Sequence, residues 1–407
     1  MKESATKPEN SAATSEFVTP GGRLESIDFL RGCAAMGVVI LHVALSGGIP
    51  HAPLWFRIVY GTMLQGWWGV PLFFVISGFC IHLRWAKQKA RNNIDRLDFL
   101  EFWKRRLHRL YPPYFIVLCL SMLMVYVAYR MGRELPLVAK YPNPQPRWML
   151  YDFFLHVTML HGFSPSFDTA GGNNVLWSLA REEYFYMMYF VLMFWRRRWN
   201  VWVSTIIVLV IGVVANVSFA HSPHWSEFVA RSAIVLWFQW CLGMVAVEAY
   251  YGLIKLPRWC YSGYMAVLWC LLAGVSRYYL LVATPFLGGM AFFVLLNFCV
   301  KLDRTHHWPR NAIVAWLGRV GIFSYSLYLV HNPIRAVLKQ LLRPFSYTQN
   351  PVQFLVVGAI LGLGGYWGAK LFFWVVERHF LNSSRLVSHS RPPAKFDQTV
   401  APKVVEE

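Results

Sequence analysis

The sequence predicts an all-α protein, a polytopic integral membrane bundle of about ten transmembrane helices. Three observations carry that prediction. Apolar residues make up 56% of the 407 positions and charged residues only 14%, against about 25% charged in an ordinary soluble domain. Apolar runs near the ~20 residues that cross a bilayer recur along the whole chain. Lys and Arg, the source of a net charge of +19, gather between alternate runs, the pattern of cytoplasmic loops. Together these exclude a disordered chain, a disulfide-stapled secreted domain and a typical cytosolic enzyme. They also account for the basic character through topology, so no nucleic-acid partner is expected.

Residues 1–26 are polar and rich in Ser, Thr, Pro and Gly. They read as a disordered cytoplasmic tail without a signal-peptide core. Spans are expected over 29–46, 62–83, 111–131, 174–195, 200–219, 229–250, 262–282, 283–300, 313–341 and 352–376, within one transmembrane domain at 27–381. The boundary between the seventh and eighth rests on Thr284–Pro285. Segment 148–162 is apolar but short, which suits an interfacial or re-entrant piece better than a span. The last span carries Gly358, Gly362, Gly364 and Gly368, overlapping small-xxx-small pairs that favour close helix packing. Residues 382–407 read as a second disordered cytoplasmic tail. With both termini cytoplasmic, the richest inner segment runs from Arg84 to Arg109, and Arg196, Arg197 and Arg198 form another. The localisation expected is the cytoplasmic (inner) membrane, with the lipid bilayer as solvent. The seven cysteines are scattered, with no CxxC pair and no zinc-type spacing, so no metal is expected.

Charged and polar groups inside spans are costly, which makes them functional candidates. In the first span Arg31 and His42 are eleven residues apart, so they share a helix face ~16 Å apart along the axis. In the fourth, Ser178, Glu182 and Tyr186 form a stripe at i, i+4 and i+8. Glu183 points about 100° away, toward Arg181 or the interface. In the ninth, Ser324, Tyr328, His331 and Arg335 share a face, and Pro333 is expected to kink the helix and free a carbonyl. At the entry to the third, Arg105, Arg106 and Arg109 offer guanidinium forks suited to phosphate. The bland alternatives are a snorkelling Arg, core-bonded imidazoles, a buried ion pair and ordinary positive-inside bias. The gradient of cations inside and His42, Glu182 and His331 outside suits an enzyme fed with an anionic donor. It equally suits a transporter of an anionic or polyol substrate.

The order of these patterns resembles the membrane acyltransferase 3 family, which acylates envelope carbohydrates such as O-antigen and exopolysaccharide. The matching residues are Asp28, Phe29, Arg31, Gly32 and His42, then Phe73, Phe74, Ser77, Gly78 and Phe79. They continue as Arg105, Arg106, Arg109, Tyr111 and Pro112, then Trp177, Ser178, Leu179, Glu182, Phe185 and Tyr186, and end at Ser324, Tyr325, Tyr328 and His331. The resemblance implies an O-acetyltransferase taking acetyl from cytoplasmic acetyl-CoA to a hydroxyl of an extracytoplasmic or lipid-linked glycan.

Beside that resemblance, His42 is the expected base, or the carrier of an acyl-enzyme, and Glu182 would orient it or contact the acceptor. Arg31, Arg105, Arg106 and Arg109 would bind coenzyme A. Trp177, Ser178, Tyr186, Tyr328 and His331 would hold the acceptor or the developing oxyanion. Some members of the family carry an extracytoplasmic hydrolase-like domain. This chain resembles the stand-alone kind, for which a handover would require a separate acyl-accepting protein. A transporter, and a scaffolding component of glycan assembly, are the other classes open at this point.

Overall fold

The computed structural model describes residues 24–49, 51–93, 95, 97–132, 146–222, 225–342 and 350–381. Almost all of the expected tails lie outside these. Helices α1 (Glu25–Ala44), α2 (Leu54–Leu64), α3 (Gly69–Asn92), α4 (Phe99–Arg130) and α5 (Pro146–Val157) come first. They are followed by α6 (Trp177–Arg198), α7 (Val201–Phe219), α8 (Ser226–Ala230), α9 (Ala233–Tyr250) and α10 (Gly263–Tyr279). Then come α11 (Thr284–Arg304), α12 (Ala312–Ile322), α13 (Ser324–Leu341) and α14 (Pro351–Phe372). No strand occurs among the described residues.

A helix stands at each of the ten expected spans, but fewer qualify as membrane-crossing on length and apolarity alone. Seven do, and an eighth if the bent pair α12–α13 counts as one. Helix α6 is long enough at 22 residues, yet Arg181, Glu182, Glu183 and a terminal run of arginines lower its apolarity. Helix α10 has 17 residues, short for a bilayer. The expected boundary at Thr284–Pro285 is real: α10 ends at Tyr279 and α11 opens with Pro285 in its first turn. Segment 148–162 forms the short α5 and a single 3-10 turn.

Local chemistry sets several helix starts. Asp98 caps α4 by accepting from the Glu101 N–H at 3.1 Å, and Asn200 caps α7 through the Val203 N–H at 2.9 Å. Helix α4 runs 32 residues through Pro112 and Pro113, so Arg105, Arg106 and Arg109 sit on a rigid helix rather than a loop. The ninth expected span differs from its prediction. It breaks at Phe323 with a bend of 81°, whereas Pro333 lies inside a continuous α13. The bend sits where Gly321 presses on the α1 backbone: a β-carbon there would lie 1.9 Å from the Asp28 carbonyl oxygen. Pro333 nonetheless frees a carbonyl as expected. The Leu329 oxygen, whose helical donor it removes, accepts instead from Asn173 Nδ2 at 2.8 Å.

Close backbone contacts assemble the bundle. Gly78 of α3 and Gly243 of α9 face each other's helix so tightly that a β-carbon on either would lie about 2 Å from a carbonyl oxygen of Trp240 or Val75. Gly364 and Gly368 of α14 lie against Leu338 and Ile334 of α13, the packing role expected for that stripe. Two apolar cores result. One gathers Phe79, Trp85, Phe185 and Trp240 from α3, α6 and α9. The other gathers Tyr114, Leu118, Leu327 and Leu329 from α4 and α13. The outside carries a belt of exposed apolar residues such as Val210, Val214, Leu271 and Leu363, as a lipid-facing surface requires.

Candidate active site

Two cavities meet back to back. The first, about 220 Å3, is lined by Arg31, Arg106 and Arg109 together with Ser77, Ser178, Glu182, Tyr186, Tyr325 and Tyr328. The second, about 650 Å3, is lined by His42, Trp67, Trp68, Trp177, Asn174 and Gln239, and again by Tyr328. Only Val70, Phe74 and Tyr328 line both. Tyr328 is fixed in this partition by Ser178, whose Oγ lies 2.6 Å from the phenolic oxygen.

His42 is set by its own helix. Its Nδ1–H donates to the Val38 carbonyl at 2.9 Å. A carbonyl only accepts, so Nδ1 carries a proton, and in the neutral ring the lone pair is on Nε2. His331, buried on α13, repeats the device by donating Nδ1–H to the Leu327 carbonyl at 2.8 Å. That leaves the His331 Nε2 lone pair 3.3 Å from His42 Nδ1, a second acceptor for the same proton. The rings meet edge to face with centroids 5.0 Å apart. The pair therefore holds His42 in the tautomer whose Nε2 is unprotonated and able to take a proton.

Glu182 does not orient His42. It lines the arginine cavity, and its Oε1 accepts from Ser77 Oγ at 2.7 Å and Tyr186 Oη at 2.5 Å. The i, i+4 stripe of α6 is thus real, but it serves the cationic side. Nor does Glu183 pair with Arg181. Asp168 takes the Arg181 guanidinium at 2.6 Å, and no hydrogen bond or ion pair of Glu183 occurs among the described residues. Arg105 does not line the arginine cavity: it pairs with Glu101 and lines an adjoining pocket with Arg84, Gln88 and Arg106. Arg106 stands 5.7 Å over the Tyr186 ring. Trp177 walls the His42 cavity, with Arg231 5.8 Å from its ring.

Sequence reasoning missed three features. Asn173, Asn174 and Asn332 form an amide chain beside His331, its first and last members buried, with Asn332 Nδ2 donating to Asn174 Oδ1 at 2.6 Å. Glu377, buried in a π turn after α14, accepts from the Ser326 N–H at 3.0 Å in the first turn of α13. Asp152, His156, His161 and Asp168 are buried under the segment before α6, where His156 and His161 stack at 3.8 Å. Burial raises the Asp168 carboxyl above its usual range despite Arg181 and Arg231, and burial with the neighbouring His156 pushes the His161 imidazole well down. The spacing of His156 and His161, five apart in an apolar segment, was the available sign. Among the described residues no group of three His, Cys, Asp or Glu is arranged to hold a metal.

Comparison with known proteins bears on the family. The chain is 28% identical over 174 residues to the O-acetyltransferase OatA of Staphylococcus aureus, covering 41% of this chain and 24% of that protein. It is 26% identical over 340 residues to the peptidoglycan O-acetyltransferase OatA of Listeria monocytogenes, covering 76% and 49%. It is 27% identical over 166 residues to the putative peptidoglycan O-acetyltransferase YrhL of Bacillus subtilis, covering 41% and 23%. The matched region is thus half or less of each relative's length. No solved structure matches. The family model described as an acyltransferase domain matches residues 24–370, nearly the whole membrane bundle, and the chain belongs to that acyltransferase 3 family.

Proposed function

We propose that this protein is an integral membrane O-acetyltransferase that moves acetyl from coenzyme A to a hydroxyl of an extracytoplasmic or lipid-linked glycan. The observation that carries the reading is the pair of cavities, cationic on one side and imidazole-bearing on the other, divided by three side chains. The arginine cavity faces the cytoplasm, in keeping with the Lys and Arg of adjoining segments. Arg31, Arg106 and Arg109 hold the phosphates of the donor, and the thin pantetheine arm brings the thioester to the wall formed by Tyr328.

From the other side a glycan hydroxyl approaches His42. Such a hydroxyl is weakly nucleophilic at neutral pH and needs a base. As its oxygen attacks the thioester carbonyl, its proton passes to His42 Nε2. The carbonyl oxygen becomes an oxyanion beside Tyr328, whose hydroxyl would turn to it from the Val175 carbonyl that it meets at 3.2 Å. Collapse breaks the C–S bond and leaves the acetyl ester on the glycan, and the thiolate of coenzyme A, leaving toward the arginines, takes up the proton that His42 gives back directly or through solvent. His331 positions His42. Glu182, held by Ser77 and Tyr186, offsets the guanidinium charge and fixes the thioester end of the donor cavity.

Purified protein in nanodiscs, given acetyl-CoA labelled in the acetyl group and an envelope glycan extract, tests the reading. Label should appear on glycan, and His42→Gln should lower the rate by about 100-fold or more at normal abundance, since Gln keeps hydrogen bonding without basicity. Near-normal transfer by that variant would remove His42 as base. Counterflow of a small substrate without any transfer would mark a carrier instead.

A further inference from the structure

The residues around the His42 cavity carry more hydrogen-bonding capacity than their own contacts use. Gln239, itself 1% exposed, donates Nε2–H to the Pro285 carbonyl at 2.9 Å, and its Oε1 has no hydrogen-bond partner. Trp67 Nε1 and Arg231 Nε, on the same wall, are buried donors without partners. An unsatisfied buried polar atom is costly, and a small rotation of these side chains toward the cavity would let sugar hydroxyls, each both donor and acceptor, satisfy all three.

The charges in the wall do not balance. The cavity is lined by two arginines and one acid, Glu227. Glu227 is committed to Arg231 at 3.1 Å, and Arg231 also lies 4.0 Å from Asp168. Arg277 has no ion pair among the described residues. It is exposed, with its guanidinium 4.5 Å over the Trp67 ring. A guanidinium over an aromatic face is held there by the ring's negative face while its N–H groups remain free to donate, and free guanidinium donors recognise a planar or tetrahedral oxyanion. His42 contributes no charge in the tautomer described above.

We propose that the acceptor is an acidic saccharide, whose carboxylate or phosphate docks on Arg277 while its hydroxyls meet Gln239, Trp67 and Arg231. This rests on the reading of the cavity as the acceptor side. The cavity volume of about 650 Å3 lies within the range of roughly 300–1,000 Å3 typical of small-ligand sites.

The test is a calorimetric titration of the full chain in nanodiscs of zwitterionic lipid, without acetyl-CoA. The probes are three disaccharides of one ring skeleton, bearing a hydroxymethyl, a carboxylate or a phosphate group at the terminal sugar. Either acidic form should bind about tenfold more tightly than the neutral one. Arg277→Gln should abolish the difference, and Arg277→Lys should restore part of it because the charge returns without the fork. Equal affinities in wild type, a preference that survives Arg277→Gln, or binding of none of the three would overturn the proposal. An effect of Arg277→Gln seen only after adding anionic lipid would assign the residue to headgroups and overturn it as well. The acetyl-transfer assay is read separately. Transfer without an acid preference leaves the enzyme and removes the acidic acceptor, whereas an acid preference without transfer does the reverse.

Discussion

Glu182 and Glu183 are adjacent in sequence, yet among the described residues only Glu182 is hydrogen-bonded through its side chain. Glu182 accepts two hydroxyl hydrogen bonds inside the arginine cavity, so replacing it with Gln removes a negative charge from among three cations. Glu182→Gln should lose most acetyl transfer, about tenfold or more. Glu183→Gln should lose much less. Initial rates at equal membrane abundance check both, and an inactive Glu183→Gln variant would place the functional carboxylate on the other face of α6. That Ser178, Glu182 and Tyr186 share one face was legible from a periodicity of 3.6. That the face meets Arg106 rather than His42 was not, because it depends on how far α6 slides along α3 and α9. Arg181 shows the same limit. Its partner Asp168 lies in an irregular segment, where spacing carries no information about direction.

At the scale of elements, α13 shows how a proline acts through its absent donor. Asn173 supplies the hydrogen bond that Pro333 denies to Leu329. Asn173→Ala should therefore destabilise the protein by about 1 kcal/mol, seen as a lower thermal midpoint in detergent. Adding Pro333→Ala should recover most of that loss, since the new N–H can satisfy the same carbonyl. Failure of the double variant to recover would mean that Asn173 acts through Asn332 instead. The kink expected at Pro333 stands at Phe323 because a glycine contact with α1, not the imino acid, sets the bend. Helix α4 yields a further expectation. Arg106 and Arg109 enter the cavity while Arg105 is held by Glu101, although all three read alike in a run of basic residues. Arg109→Gln should raise the KM for acetyl-CoA by about tenfold, and Arg105→Gln should change it by less than about twofold. Steady-state kinetics at saturating acceptor separates them, and equal effects would restore the undivided basic patch.

Across the whole molecule, the helical class and most span positions followed from apolar length, which backbone hydrogen bonding in lipid makes nearly obligatory. The pairing of helices did not, because it rests on glycines such as Gly78 and Gly243 whose partners lie far along the chain. Where α3 comes against α13, a wall of Val70, Phe74 and Tyr328 is shared by two chambers. That wall has a kinetic meaning. If the nucleotide and the sugar enter by different doors, neither can obstruct the other's entry, and either can arrive first. Free coenzyme A should then inhibit competitively against acetyl-CoA and only non-competitively against the acceptor, at every acceptor concentration. The acetylated product should show the mirror pattern. Competition between coenzyme A and the acceptor would mean that both share one chamber during turnover, and that the wall opens wider than two carbons require.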